Sequence, residues 1–479
     1  MSNKLSRRDV LKVMAAGTAG LVGTSLASAS PRIGSLRKAT FLRQTTEISL
    51  WVPPIWRYGA DNETITGTGS DDWITDAIAR FEADHPGIRV NIELVPWDQW
   101  SQKTATGFAS GDLPNVIYTM MAPDRIDAGL FEPLDSYVTQ EMSDNWVPGA
   151  YEQLSINGHL YGLPAFVNPD MSAFSGPALR KHGGAGILEA VGEKRDGLTF
   201  DMMRNYGEEF SDGSSRYFFG VPTDHFSVVY WGFGQWLNGW GIPMWNEDET
   251  RWIAHEHAQS VEAMNWYVQA QNDWKILIPN LPHWSDVDNF YWNQNAAMRF
   301  QWAGIQTELE VAQEAGQAPA DFDIVLAGFP HTTDVGPFRP NVRPNHFSVT
   351  ATGSPAEREA AFTFANWLAT DDSNATAWLV NGIFPATISG AVAVADHPFM
   401  EDPNRRWVLN TYLPDFPIGF AGWNWEPVSN ARTSRIFNQL NPGDLYIQQF
   451  QSLLLGQKSA EQMLTEMSQR INGALGVEA

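Results

Sequence analysis

The chain has 479 residues, more than a single hydrophobic core usually organises, so two domains are expected. Its formal net charge of -24 makes nucleic acid and anionic lipid poor partners. It has no cysteine, which excludes disulfides, thiol nucleophiles, thiolate metal sites and a lipid attached through an N-terminal cysteine. The 21 tryptophans and 26 phenylalanines, against 18% charged residues, indicate either a very aromatic core or a surface on which a ligand stacks.

Residues 1–29 have the organisation of an export signal. A basic start, Ser6-Arg-Arg-Asp-Val-Leu-Lys12, precedes an apolar run over 13–26, and Ala27-Ser-Ala29 forms a small-residue cleavage site. The paired arginines resemble the twin-arginine signal, which exports folded proteins. An uncleaved membrane anchor is the alternative, but this run is shorter than the ~20 residues that a spanning helix needs. Residues 30–46 then predict a flexible lead-in.

From residue 47 onward, short apolar runs alternate with amphipathic stretches. Strands are predicted over 48–52, 88–95 and 116–120, and helices from 71–72 to about 85 and over 98–110. The first helix has one apolar face, formed by Trp73, Ile74, Ala77, Ile78 and Phe81. Strand, helix, strand, helix, strand in this order predicts a mainly parallel sheet flanked by helices, which is an α/β fold.

The alternation is interrupted at 160–169 and then resumes, which indicates two α/β units. The later part predicts helices over 200–210, 228–238 and 257–272, and strands over 217–221, 322–329 and 346–352. Two further helix starts are marked most clearly, because Ser354-Pro-Ala-Glu357 and Ser459-Ala-Glu-Gln462 both have the form of a capping box.

Five stretches, in their order and spacing, resemble the extracellular solute-binding proteins of ATP-driven importers. They are residues 79–90, 111–117 (Gly-Asp-Leu-Pro-Asn-Val-Ile), 131–137, 157–164 (Asn-Gly-His-Leu-Tyr-Gly-Leu-Pro) and 295–302 (Asn-Ala-Ala-Met-Arg-Phe-Gln-Trp). The resemblance is to the sugar-binding group that includes maltose-binding protein, and it covers nearly all of 47–479.

The resemblance implies a two-lobed fold in which the chain crosses between lobes about three times, near 163–169, 340–347 and 382–388. Lobe 1 would comprise 47–164 and 346–382, and lobe 2 would comprise 165–345 and 383–479. Such crossings act as hinges, and the ligand lies in the cleft between the lobes.

Candidate ligand contacts come partly from position and partly from the resemblance. The loop after the first strand contributes Trp51 and Trp56, and His346 follows the second crossing. Because ligands lie beyond the carboxyl ends of parallel strands, the segment after 217–221 contributes a further set: Asp224, His225, Phe226 and Trp231.

The resemblance adds contacts that relatives use to hold sugar. Asp124 and Arg125 match an aspartate and an arginine on the sugar, and Trp302 matches a stacking tryptophan, which makes it the strongest single candidate. A C-terminal loop supplies another stacking ring in relatives, and the sequence does not choose between Trp423 and Trp425.

Other tryptophans and histidines favour a structural interpretation. Trp236, Trp240 and Trp245 belong to a predicted helix and the turns that end it, so we expect them to pack rather than to bind ligand. His255 and His257 have no third ligand nearby, so we expect a helix start rather than a metal site. No metal or cofactor is implied.

Together with the export signal, the resemblance implies an exported, monomeric, periplasmic or extracytoplasmic solute-binding protein. It would bind a carbohydrate, more readily an oligosaccharide than a monosaccharide, and deliver it to the permease of an ATP-driven importer. The alternative is a secreted glycoside hydrolase, which also needs a tryptophan-lined cleft but adds a pair of catalytic carboxylates. The sequence nominates no such pair, and polyols and phosphorylated polyols remain open as ligands.

Overall fold

The structure is a computed structural model that describes residues 45–56, 72–119, 121–147, 149–191, 195–224, 228–302, 304–337, 342–379, 383–412, 440 and 442–478. The strands in these ranges are β1 (Thr46–Val52), β2 (Ile88–Leu94), β3 (Val116–Tyr118), β4 (Ser155–Ile156), β5 (His159–Leu160), β6 (Leu163–Ser175), β7 (Tyr217–Gly220), β8 (Ala296–Trp302), β9 (Ile324–Ala327), β10 (Val342–Val349) and β11 (Phe384–Pro385).

Helices surround these strands. In chain order they are α1 (Asp72–Asp84), α2 (Trp97–Ser110), α3 (Pro123–Asp127), α4 (Gln140–Asp144), α5 (Ala150–Gln153), α6 (Gly176–His182), α7 (Ala185–Val191), α8 (Phe200–Phe210), α9 (Gln235–Gly239), α10 (Ala258–Asn272), α11 (Trp284–Trp292), α12 (Ile305–Glu314), α13 (Pro355–Thr370), α14 (Ala375–Leu379), α15 (Ile388–Val394), α16 (Pro403–Tyr412), α17 (Pro442–Leu454) and α18 (Ala460–Leu475). Within the described ranges, three 3₁₀ turns occupy Ala254–Glu256, Asp372–Asn374 and Pro398–Glu401.

The first α/β unit has the predicted parallel order. β1 pairs in parallel with β2 on one side and with β3 on the other. The α1 helix packs against them through the five residues that the pattern assigned to its apolar face. His85 ends this helix, since its backbone N–H donates to the Phe81 carbonyl and Pro86 cannot continue the turn. Local periodicity and burial therefore agree in this part of the chain.

β6 and β10 join the two halves of one nine-stranded sheet, whose order is β2-β1-β3-β10-β6-β8-β7, with β9 and β11 also paired to β6. Every antiparallel pair of this sheet involves β6 or β10, whereas β7 and β8 pair in parallel. The buried apolar residues form two clusters, one centred on β1, β3 and β10 and the other on β7, β8 and the C-terminal helices. The fold is therefore a two-part α/β architecture.

Several predicted boundaries differ from the structure. The strand predicted over 346–352 begins earlier, at Val342, and ends at Val349, because pairing with β6 extends it. The helix predicted over 228–238 is π-helical over Val228–Gly234 and α-helical only from Gln235. Glycines at 232 and 234 weaken the preference for regular α-helix in that segment.

Both predicted capping boxes are confirmed. The Ser354 hydroxyl accepts from the Glu357 backbone N–H, and the Glu357 carboxylate accepts from the Ser354 N–H. Ser459 and Gln462 make the same reciprocal pair at the start of α18. In the part of the chain that the structure describes, none of the helices has the length and apolar character needed to cross a membrane.

Candidate functional site

The carboxyl ends of the parallel strands in the two halves face each other. β3 ends at Tyr118, which lies level with Phe347 of β10 and hence with Leu163 of β6. β8 runs in the opposite direction and ends at Trp302, level with Asp170 of β6. Seven residues of β6 separate the two levels, about 23 Å along an extended strand. The two edges thus point toward a common space, where ligands of open α/β sheets bind.

A group of three indoles lines this space on the side where β8 ends. Trp302 at the end of β8 stacks on Trp284 at the start of α11, with ring centroids 5.9 Å apart and planes 19° apart. Trp231 lies 5.6 Å from Trp284 and 6.4 Å from Trp302. Trp231 is buried, whereas the other two rings are partly exposed. We call Trp231, Trp284 and Trp302 the tryptophan platform.

A buried arginine supports the platform from inside. The Arg299 guanidinium lies 5.1 Å from the centre of the Trp284 ring and 5.7 Å from that of Tyr291, and it pairs with the Asp288 carboxylate. Burial raises the pKa of Tyr291 above its ordinary value, although the Arg299 charge opposes this shift. Arg299 precedes Trp302 by three residues in β8, so the two side chains project from opposite faces of the sheet. Because both side chains contact Trp284, the Trp284 ring lies across the end of the strand.

An ion pair lies beside the platform. The Asp224 carboxylate accepts from Nδ1 of His283, the residue that caps α11 immediately before Trp284. This bond raises the pKa of the exposed His283, with a smaller contribution from Asp286. The pair joins the loop after β7 to the helix that carries Trp284. His225 and Phe226, predicted beside Asp224, lie outside the described residues.

The side of this space where β3 ends is polar. Asp124 lies in the first turn of α3, and its Oδ1 is buried without a hydrogen-bond partner among the described residues. The Arg125 guanidinium lies 4.4 Å from the centre of the Phe108 ring on α2. His346 is buried, and its backbone exchanges two hydrogen bonds with Thr119 at the end of β3. Asp124 is thus a buried acceptor with unused capacity at this edge.

Two predicted contacts lie in other surroundings. Trp56 is fully buried, stacked on Trp73 at 5.7 Å and 6.1 Å from Trp378, so its ring belongs to the core of the first half. The Trp51 ring is covered by α2, where the Lys103 ammonium lies 4.3 Å from its centre. Since Trp51 alternates with buried Leu50 and Val52, it lies on the face of the sheet that α2 covers.

The burial of Trp231 differs from the expectation that it faces the cleft directly. The π-helical segment turns its ring beneath Trp284 and Trp302. Of the tryptophans expected to pack, Trp236 is fully buried and donates its Nε1–H to the Ala263 carbonyl at 3.0 Å. The predicted C-terminal candidates, Trp423 and Trp425, lie outside the described residues.

Trp284 was not anticipated from the sequence. It follows the apolar run Ile276–Ile278, which lies parallel to β7 through a single bridge between Phe219 and Leu277. A run of three apolar residues before Pro279 is a weak strand signal, but it marks Trp284 as another residue beyond a strand end. His255, considered as a metal ligand, instead lies against the Trp252 ring and makes a hydrogen bond with Ser468.

Comparison with known proteins agrees with this geometry. Residues 66–375 match the family model described as bacterial extracellular solute-binding protein. The chain belongs to this family. Members are exported binding proteins rather than enzymes, so this chain is an exported solute-binding protein.

Curated relatives are distant. Two proteins described by name as binding proteins, from Brucella abortus (strain 2308) and Brucella suis biovar 1 (strain 1330), are each 27% identical to this chain over 218 residues. The match covers 44% of this chain and 49% of each relative, so the chain spans about half the length of the curated relatives it matches.

Solved structures share the fold over most of the chain. UgpB from Mycobacterium tuberculosis, in complex with glycerophosphocholine, has a TM-score of 0.69 at 16% identity and covers 90% of this chain and 99% of its own. A Thermotoga lettingae solute-binding protein bound with alpha-D-tagatose has a TM-score of 0.68 at 16% identity, and the match covers 90% of this chain and 100% of the Thermotoga protein. A Listeria monocytogenes substrate-binding protein in complex with cycloalternan has a TM-score of 0.67 at 18% identity, and the match covers 91% of this chain and 100% of the Listeria protein.

Proposed function

We propose that this solute-binding protein captures a carbohydrate between the two facing strand edges and delivers it to the permease of its importer. The observation that carries the proposal is the tryptophan platform, because two partly exposed, nearly parallel indoles lie at the carboxyl end of β8. Sugar rings present apolar C–H faces that stack on such surfaces, while their hydroxyls need directed hydrogen-bond partners. Asp124 and the Asp224–His283 pair provide polar groups for those hydroxyls.

The ring geometry favours a flat ligand over a bulky cation. Aromatic cages for quaternary ammonium groups surround the cation with ring faces. Here the centroids of the three rings lie only 5.6 to 6.4 Å apart, and the planes differ by 19° to 38°. Rings packed on each other in this way leave a stacking surface rather than a cage. The ligand class of the sugar-bound neighbours, tagatose and cycloalternan, therefore fits better than glycerophosphocholine.

We assign the lobes as 47–164 with 346–382, and 165–345 with 383–479. The pairing of β6 with β10 and β11 supports this division, because the three segments between lobes then lie side by side. Ligand can favour a closed arrangement only if it binds that arrangement more tightly than the open one. Simultaneous contact with the platform and with Asp124 would supply that difference.

The export route belongs to the same proposal. The paired arginines at 7 and 8 support twin-arginine export to the periplasm or the outer face of the membrane, and the high negative charge supports a monomer in solution.

Isothermal titration calorimetry with a panel of mono- and oligosaccharides tests the proposal, with glycerophosphocholine and a polyol included as competing classes. We expect one carbohydrate to bind with a Kd on the order of micromolar, about -8 kcal/mol. Chromatography of the recovered ligand distinguishes capture from hydrolysis. Intact sugar supports the proposal, whereas released product would favour the glycoside hydrolase alternative.

A further inference from the structure

Two segments that contribute to the first buried cluster contain acidic residues but no lysine or arginine. No lysine or arginine occurs between Arg125 and Arg180, nor between Arg358 and Arg405. Two segments of forty residues or more without lysine or arginine favour a negatively charged surface where they meet.

The two segments do meet, around Asn145. The Ile388 backbone N–H donates to the Asn145 carbonyl at 2.7 Å, and the Asn145 side chain donates to the Ser389 hydroxyl at 2.8 Å. Ser389 in turn donates to the Asp372 carboxylate at 2.6 Å. A backbone bridge between Trp146 and Thr387 continues the contact. The surface formed here is thus held by specific hydrogen bonds from both segments.

Three large apolar side chains are exposed at this junction. Tyr151, Ile388 and Val392 are 37%, 37% and 54% exposed, respectively. Ile388 and Val392 are four residues apart on α15 and therefore lie on the same face of the helix. The Tyr151 ring lies 6.2 Å from that of Trp146, which connects it to the same region. Half of the exposed large hydrophobic residues among those described are concentrated here.

Acidic residues surround these three side chains. Asp144 and Glu152 are exposed beside Asn145 and Tyr151, and Asp372 and Asp396 are exposed near Ser389 and Val392. At the margin, Arg80 approaches Ser373 and Asn374, but it also pairs with Asp76. We call this group of residues, Tyr151, Ile388 and Val392 with their acidic neighbours, the acidic apolar patch.

We propose that the acidic apolar patch is a docking surface of this protein for a permease subunit, and that the matching permease surface has apolar side chains ringed by lysine or arginine. This inference rests on the importer role in the proposed function. An exposed apolar centre marks an interaction surface, and an acidic rim selects a basic partner and speeds its approach. A second copy of this chain is disfavoured, since two such patches would bring like charges together.

Photo-crosslinking in cells that make this protein from its own gene tests the inference. The benzophenone amino acid p-benzoylphenylalanine replaces Tyr151, and the crosslinked product is identified by mass spectrometry. We expect an integral membrane permease subunit. Val392→Lys should lower the yield at least tenfold, whereas Val392→Glu, which keeps the sign of the rim, should retain more than half of it. Leu455→Lys is the matched control, because Leu455 is also 54% exposed but lies at the end of α17.

A crosslink to another copy of this chain or to a soluble protein would overturn the inference. Equal losses from Val392→Lys and Leu455→Lys would do the same, and so would a loss from Val392→Glu as large as that from Val392→Lys. Calorimetry on the same variants keeps the two proposals distinct. A chain that binds no carbohydrate but crosslinks to a permease retains the docking inference, and a chain that binds sugar without this crosslink retains only the proposed ligand.

Discussion

Trp302 provides the sharpest test of the ligand site. Its partly exposed ring ends β8 and stacks on Trp284 at 5.9 Å, so a sugar resting on the platform would contact it directly. Removal of one aromatic anchor typically weakens binding by about 2 kcal/mol, which corresponds to about a thirtyfold increase in Kd. We therefore expect Trp302→Ala to raise the Kd about thirtyfold, and Trp302→Phe, which keeps a smaller ring, to raise it less.

Stability must be separated from affinity in this test, because Trp302 also contacts Trp231 at 6.4 Å. Loss of its two aromatic contacts should cost about 1 to 3 kcal/mol of unfolding free energy. Trp274→Ala is the matched control, since that partly exposed ring also has two contacts, Trp266 at 5.1 Å and the Arg204 guanidinium at 4.6 Å. Trp274 precedes the amino end of the strand-like run Ile276–Ile278, about 20 Å from the platform edge.

The assay is calorimetric titration of both variants with the carbohydrate that the panel identifies, together with urea unfolding of the free proteins. We expect similar losses of stability but a changed Kd only for Trp302→Ala. An unchanged Kd in Trp302→Ala, or equal weakening in both variants, would refute the assignment of the platform as the stacking surface.

Three further outcomes follow from the contacts. Asp124→Asn should weaken sugar binding about tenfold without lowering the urea midpoint, because the buried Oδ1 has no partner to lose among the described residues. Trp236→Phe should cost about 1 to 2 kcal/mol by removing the buried hydrogen bond from Nε1–H to the Ala263 carbonyl, with the Kd unchanged in calorimetry. Asp224→Asn should lower the pKa of His283 in an NMR titration, since the Asp224 carboxylate raises it. The raised pKa means that this bond stabilises the folded protein fully below pH of about 6.5, and that its contribution is lost as pH rises through the raised value.

Elements defined by local signals could be predicted from the sequence. The face of α1 and the capping boxes at Ser354 and Ser459 depend on residues within one or two turns, and the structure has them as predicted. The π-helical turn at Val228–Gly234 could not be predicted in this way, because its path depends on packing against α17 and the platform. Trp56 shows the same limit. From the sequence, a tryptophan that follows a strand is predicted to lie in a loop. Its burial depends on Trp73 and Trp378, which are distant in the sequence and contact it only in the folded chain.

Sheet register explains why the candidate site itself was only partly predictable. Trp302 and Asp124 could be nominated separately, from the resemblance of the stretches that contain them. Their relation depends on β6, whose residue Leu163 is level with the end of β3 and whose residue Asp170 is level with the end of β8. A shift of β8 by two residues along β6 would keep every side chain on its face yet move the platform by about 7 Å. The pairing between distant strands, rather than any motif, therefore sets the size of solute that can touch both edges at once.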